Sequence, residues 1–168
     1  MGVIGGKIGY SILKSLFPRR PRRTDSEAAR HADLAVESLK ANAKLEHLLG
    51  PGIMGTARNK TVVDFGCGTG IQVIQLALGG AQKAIGLDIR EEVLEVGRAL
   101  AVKSGVSDRC EFVQSFDGKA DVIVSVDSFE HFEDPAAILK VMSGMLADDG
   151  SNSFFRANLV PSAGWPLL

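Results

Sequence analysis

The sequence predicts an α/β protein with a doubly wound parallel sheet of about five strands. Three observations support this prediction. Short apolar runs alternate with helical stretches from Lys60 onward, the runs are apolar on both faces, and a glycine-rich loop follows the first run. Strands buried on both faces and separated by helices are typical of parallel sheets built from right-handed βαβ units.

Length and composition agree with one globular domain. The chain has 168 residues, of which 45% are hydrophobic and 23% are charged, and this excludes a disordered or collagen-like chain. No uninterrupted apolar run approaches the ~18 residues that would suggest a membrane span. The two cysteines, Cys67 and Cys110, make neither a disulfide framework nor a set of zinc ligands. We therefore expect a reducing, cytoplasmic compartment.

Residues 1–23 form an apolar and basic N-terminal arm. Residues 1–30 carry seven Lys or Arg and two Asp or Glu, a net charge of +5, whereas the rest of the chain carries −6. This balance argues against a nucleic-acid partner. The apolar residues of the arm share one helical face and an Arg-rich run follows them, a pattern that suits contact with an anionic membrane surface. The alternative is a flexible arm that packs on the domain or on substrate.

The elements follow in order along the chain. Residues 24–50 form an N-terminal helix, which begins at the capping-box spacing of Thr24 and Glu27 and ends at Gly50-Pro51. Residues 51–158 form the core, and residues 159–168 form a C-terminal loop. Within the core the predicted strands are Thr61–Phe65, Lys83–Leu87, Cys110–Val113, Asp121–Val126 and Ser153–Ala157, and the predicted helices are 70–79, 91–104 and 135–147. The last helix has Asp134 as N-cap and Pro135 at its first position.

The residues that indicate a function lie at the ends of the first two strands. The first strand leads through Asp64 into the loop Gly66-Cys67-Gly68-Thr69-Gly70 and then into a helix. Glycines let the backbone approach a ligand closely, and a helix start offers free N–H groups. The second strand ends at Asp88, where a carboxylate is placed to accept both hydroxyls of a ribose. Together these features predict a nucleoside-type cofactor.

The sequence resembles the class I S-adenosylmethionine-dependent methyltransferases, and the small-molecule type of the ubiquinone and menaquinone pathways in particular, over roughly residues 60–150. The segment 64–70 matches the first motif of that family, and residues 125–132 resemble its segment after strand four. The resemblance implies a Rossmann-like sheet with strand order 3-2-1-4-5, S-adenosylmethionine as cofactor and methyl transfer to a small-molecule acceptor by in-line displacement. The cofactor-binding residues that it implies, or that lie beside its motifs, are Asp64, Gly66, Cys67, Gly68, Gly70, Asp88, Ile89, Phe116, Asp117 and Val126.

Two alternatives to this cofactor remain open from the residues alone. An NAD fingerprint would need a third glycine at position 71 or 73, where Ile71 and Val73 stand. The glycines could also serve only to make a tight turn between strand and helix. The acidic Asp64 directly before the loop favours the methyltransferase pattern over the NAD pattern.

His131 is the candidate catalytic residue. It follows strand four, where this fold places its binding crevice, and a histidine there can act as general base for an acidic hydroxyl. The alternative is a histidine that bonds the backbone and shapes the loop. Acidic residues flank His131, but no second His or Cys accompanies them, so we predict no metal site.

The resembled family has seven strands, and the runs predicted here end shortly after the fifth. We therefore expect the last two strands to be absent and the open sheet edge to be covered by the N-terminal helices, a second copy or a partner chain. Three functions are compatible with this pattern: an active methyltransferase, a fragment that binds the cofactor without turnover, and a partner-dependent scaffold. The first is the prediction.

Overall fold

The computed structural model describes residues 43–128, 131–147 and 153–154. Ten elements lie within these ranges: α1 (Ala43–Leu49), α2 (Ile53–Ala57), β1 (Thr61–Phe65), α3 (Ile71–Leu78), β2 (Lys83–Leu87), α4 (Glu91–Lys103), β3 (Cys110–Val113), β4 (Val122–Val124), α5 (Pro135–Met145) and β5 (Ser153–Phe154). The arm 1–23, most of the helix predicted from Thr24, and the tail 159–168 lie outside the described residues. Their assignments, including the membrane contact, stay predictions.

The five strands form one parallel sheet in the order β3-β2-β1-β4-β5. Val63 in the central strand β1 lies beside Ile85 of β2 on one side and Ile123 of β4 on the other. The predicted fold class and strand order are thereby confirmed. All carboxyl ends of the strands meet at one edge of the sheet, which is where ligands bind in this architecture.

Helices cover both faces of the sheet because successive strand residues point to opposite sides. Val62 belongs to a core that it shares with residues of α1, α2, α3 and α4, whereas Val63 and Phe65 belong to a second core with α5. The doubly wound arrangement predicted from two-faced apolar strands is therefore present.

The aromatic ring of Phe112 lies among glycines of three separate elements. A β-carbon on Gly70, Gly86 or Gly97 would stand 2.1, 2.9 or 2.5 Å from the nearest ring atom. Real β-carbons do not come this close to other atoms, so each position excludes a side chain unless the ring moves. Phe112 thereby packs the loop before α3, the strand β2 and the helix α4 against one another.

The main differences between the structure and the sequence prediction lie in β4 and α2. Strand β4 is Val122–Val124 rather than Asp121–Val126, because the residues after Val124 turn away to bond the end of β1. Sequence reasoning missed α2, which begins two residues after the helix-stopping Gly50-Pro51 pair. Ile53 and Ala57, one helical turn apart, are fully buried and hold it in place. Helix α5 begins as predicted, since the Asp134 side chain accepts a hydrogen bond from Ala137 N at 3.0 Å.

Within the described ranges, no helix combines the length and apolar character needed to cross a membrane.

Candidate functional site

Asp64 places a buried carboxyl group inside the sheet. Its backbone lies between Gly86 of β2 and Val124 of β4, and only 1% of the residue is exposed. Neither carboxylate oxygen has a hydrogen-bond partner among the described residues. Burial, and secondly the charge of Asp88, raise the pKa of Asp64 from 3.8 to about 7. A carboxyl group in this state lacks a partner, and a cationic or hydrogen-bond-donating ligand group would supply one.

The glycine loop begins at Gly66, directly after Phe65, the last residue of β1. Gly66, Gly68 and Gly70 all have positive φ, at 81°, 54° and 75°. The backbone N–H groups of Gly66 and Cys67 donate to the carbonyl of Leu87, at 2.8 and 3.1 Å, and tie the loop to the end of β2. The left-handed conformations explain why the sequence needs glycine at these three positions.

The three glycines differ in what surrounds them. A β-carbon on Gly66 would meet the Ser128 side chain at 2.7 Å, and one on Gly70 would meet Phe112. A β-carbon on Gly68 would meet no atom within 4 Å. The loop is therefore packed at both ends and opens beside Gly68, where a ligand has room to lie against the backbone. Gly70 is also the N-cap of α3 and has no side-chain capping bond.

Asp88 stands directly after β2 and is 2% exposed. Its Oδ2 accepts a hydrogen bond from Gly68 N at 3.1 Å, which joins it to the open part of the loop. Arg90 pairs with the same carboxylate through Nε and Nη2, at 2.9 and 2.8 Å. These hydrogen bonds raise the pKa of Arg90. Asp64, Asp88 and the glycine loop thus lie together as the sequence predicted.

Cys67 is directed into the protein rather than toward a ligand. A β-carbon on Gly86 would come within 2.8 Å of its Sγ, so the thiol fills space beside β2. Burial, and then the charges of Asp64 and Asp88, raise the pKa of the thiol. If Cys67 contacts the cofactor as predicted, it does so through its backbone.

The segment after β4 is held against the end of β1. The hydroxyls of Ser125 and Ser128 both donate to the carbonyl of Phe65, at 2.8 and 3.1 Å. The ring of Phe132 packs edge-on against the ring of Phe65 with centroids 5.9 Å apart. The candidate base His131 lies between Ser128 and Phe132 in the chain and is exposed, and its backbone N–H donates to the carbonyl of Ser128 at 3.0 Å. His131 therefore lies three residues after Ser128, whose side chain packs against Gly66 of the glycine loop.

The remaining predicted residues separate into three environments. Ile89 and Phe116 are half-buried and pack against the same core, the one that contains α5. Val126 is 9% exposed and belongs to the opposite core. Asp117 is exposed, and the structure shows no contact that brings it to the loop. Ile89 and Phe116 therefore share one core, and the predicted cofactor contacts of all four residues stay predictions.

Sequence reasoning missed two residues of the site, Arg90 and Gln114. The Gln114 side chain donates to the carbonyl of Ile89 at 2.8 Å and so fixes the chain directly after Asp88. The signal for Arg90 was visible as a basic residue two positions after a strand-end acid, but its bidentate contact depends on the conformation of its side chain, which the sequence does not specify. Among the described residues, no group of three or more His, Cys, Asp or Glu is arranged to hold a metal ion.

A family model described as a methyltransferase domain matches residues 30–155. This chain belongs to that family. The resemblance found from the glycine loop and the two acidic residues is thereby confirmed, and the methyltransferase domain accounts for both the sheet order and the loop that follows its first strand.

Curated relatives of this methyltransferase domain include the ribosomal protein L11 methyltransferases. That of Escherichia coli O8 (strain IAI1) is 38% identical over 99 residues, which cover 55% of this chain and 34% of the relative. The protein from Escherichia coli O1:K1 / APEC is 39% identical over 98 residues. The chain matches about one third of the length of these relatives.

Solved structures show the same fold. Magnesium protoporphyrin IX methyltransferase from Synechocystis PCC 6803, solved with bound S-adenosylhomocysteine, has a TM-score of 0.51 and 21% identity, covering 83% of this chain and 64% of that one. An S-adenosylmethionine-dependent methyltransferase from Aquifex aeolicus has a TM-score of 0.51 and 20% identity, covering 67% and 66%. These similarities show that the methyltransferase domain has the expected architecture.

Proposed function

We propose that this chain binds S-adenosylmethionine and transfers its methyl group to an acceptor molecule. The observation that carries the proposal is the pair of buried carboxyl groups, Asp64 and Asp88, on either side of a glycine loop that is open at Gly68. Family membership and the relatives' names support the same activity.

The residues present fit the two ends of this cofactor. Asp64 has two buried oxygens without hydrogen-bond partners among the described residues, and the ammonium group of the methionine part would supply one directly or through water. Asp88, bonded to Gly68 N, would accept the ribose hydroxyls. Ile89 and Phe116 would border the adenine. NAD is disfavoured because its phosphates carry no cationic group to satisfy Asp64.

The bound cofactor supplies a methyl group already activated on a sulfonium. The protein's part is then to align the acceptor for in-line displacement and to exclude water. His131 follows the serine pair that bonds the end of β1, and from there it would take a proton from the acceptor's nucleophilic group. His131 is thus proposed as the general base.

The acceptor is proposed to be a small molecule, in keeping with the sequence resemblance. Among solved structures of this fold, the Synechocystis enzyme is named for a small-molecule substrate, magnesium protoporphyrin IX. The curated relatives are named for a protein substrate, ribosomal protein L11. Protein and small-molecule acceptors are therefore both to be offered in the assay described below.

Calorimetric titration of the purified chain with S-adenosylhomocysteine tests the cofactor proposal. We expect saturable binding that Asp88→Ala removes, and no binding of NAD. Binding of NAD in place of S-adenosylhomocysteine would contradict the proposal.

Transfer of a labelled methyl group to candidate acceptors tests the activity. His131→Ala should lower turnover without changing cofactor binding. His47→Ala is the matched control, because His47 is an exposed histidine on α1. Cofactor binding without methyl transfer to any acceptor would instead favour the alternative function, a fragment that binds the cofactor without turnover.

A further inference from the structure

The carboxylate of Asp88 is fully occupied by hydrogen-bond donors of the protein itself. Oδ1 accepts from Arg90 N at 3.0 Å and from Arg90 Nε at 2.9 Å. Oδ2 accepts from Gly68 N at 3.1 Å and from Arg90 Nη2 at 2.8 Å. A carboxylate offers about four lone-pair positions, so these four donors fill it.

Two of these four donors are fixed and two are movable. Gly68 N and Arg90 N belong to the backbone, whereas Nε and Nη2 are the fork of the Arg90 guanidinium. The Asp88 side chain is 1% exposed and the Arg90 side chain is 39% exposed, so the guanidinium lies on the solvent side of the pair. Because the Arg90 side chain reaches solvent, the fork can leave while both backbone donors stay.

Departure of the fork would free one acceptor position on each oxygen of Asp88. Two acceptor positions on neighbouring oxygens are what the two vicinal hydroxyls of a ribose require. The guanidinium and the ribose diol therefore cannot both use this carboxylate in full.

We propose that Arg90 is an internal competitor for the ribose-binding carboxylate and so sets the affinity of the site for ligands with a vicinal diol. This inference rests on the proposed function, in which Asp88 receives the ribose. Arg90 acts through Asp88 and is a positioning residue. The ion pair must open before the diol binds, and the fraction of protein in the open state scales the observed affinity.

The ligand pair adenosine and 2′,3′-dideoxyadenosine separates competition from a merely structural role. Both ligands carry the same base, and only adenosine has the diol. Arg90→Ala should bind adenosine and S-adenosylhomocysteine about tenfold more tightly than the wild type, because an ionic hydrogen-bonded pair no longer has to be broken. Binding of dideoxyadenosine should change by less than about twofold.

Two further variants complete the calorimetric experiment. Arg90→Lys keeps the charge and loses the fork, and it should show a smaller gain for adenosine; it also carries the test if Arg90→Ala does not fold. Lys83→Ala is the matched control, because it removes a cation that also pairs with a carboxylate, that of Glu111 in β3. Lys83 begins β2, whereas Asp88 and Arg90 follow the other end of that strand. It should bind all three ligands like the wild type.

The outcomes distinguish this inference from the proposed function. Unchanged or weaker adenosine binding by folded Arg90→Ala and Arg90→Lys would overturn the competition, and so would an equal gain for dideoxyadenosine. The proposed function still stands in those cases if the wild type binds S-adenosylhomocysteine and Asp88→Asn does not. Binding of S-adenosylhomocysteine by neither the wild type nor Arg90→Ala would overturn both.

Discussion

The ring of Phe112 occupies the space in which a β-carbon on Gly70 would stand, only 2.1 Å from the ring atom Cε1. Gly70 closes the glycine loop and Phe112 lies in the edge strand β3, two strands away from β1. This contact makes the shape of the candidate site depend on the packing of the sheet edge, because the ring packs against the last residue of the loop.

Gly97→Ala should destabilise the protein through the same ring. Gly97 lies inside α4, where alanine is otherwise favoured, but its β-carbon would stand 2.5 Å from Phe112. We expect a loss of about 1–3 kcal/mol in the free energy of unfolding by urea. Gly144→Ala in α5 meets nothing within 4 Å, so it should leave stability unchanged or raise it. Equal effects of the two substitutions would contradict this packing role.

Gly68→Ala should impair cofactor binding far more than stability. Gly68 has a positive φ of 54° and open space around it, so alanine costs about 1–2 kcal/mol of backbone strain and projects a methyl group into the ligand's place. Gly105→Ala shares the positive φ, at 69°, and the open surroundings, but lies after α4. Both variants should lose similar stability in urea. Only Gly68→Ala should weaken S-adenosylhomocysteine binding, by tenfold or more, which corresponds to a loss of about 1.4 kcal/mol or more in binding free energy.

Asp64 should make the free protein less stable as the pH rises. Burial raises its pKa in the folded state from 3.8 to about 7, so the folded protein binds a proton that the unfolded chain has released in this interval. The free energy of unfolding therefore falls as the pH rises from the pKa of the unfolded chain, 3.8, through the pKa of the folded protein, about 7. Relative to Asp64→Asn, the wild type should lose on the order of 4 kcal/mol of unfolding free energy between about pH 4 and pH 8.

Urea unfolding at both pH values measures this difference. Asp117→Asn is the control, since Asp117 is exposed, and it should follow the wild type at both pH values. Parallel pH profiles for the wild type and Asp64→Asn would show that Asp64 does not titrate in this range.

S-adenosylhomocysteine binding should strengthen as the pH rises through about 7. The ionised form of Asp64 is the one that pairs with the ligand's ammonium group, so binding below this pH must release the proton that the free protein holds. Calorimetry in buffers of different ionisation enthalpy should detect that proton at about pH 6 and less of it at pH 8. Asp64→Asn should bind more weakly and release none. A pH-independent affinity of the wild type would exclude a charged role for Asp64.

Much of the fold could be predicted from local patterns. The two-faced apolar runs predicted a parallel sheet, and the Asp134-Pro135 pair predicted the start of α5 within a residue. Helix α2 was missed because its five residues follow a helix-stopping Gly-Pro pair, and only burial of Ile53 and Ala57 in the core holds it. A short helix of this kind depends on tertiary packing rather than on propensity.

The sequence by itself determined the strand, glycine loop and helix that form the site, and the two acidic residues beside it, because each depends on backbone conformation and on positions at strand ends. Tertiary structure alone decided that Asp64 has no hydrogen-bond partner among the described residues, that Phe112 packs against three glycines, and that Gly68 N donates to Asp88. These features arise where separate elements meet. Desolvation, steric contact and hydrogen bonding depend on distances between atoms, and the order of residues along a chain does not specify those distances.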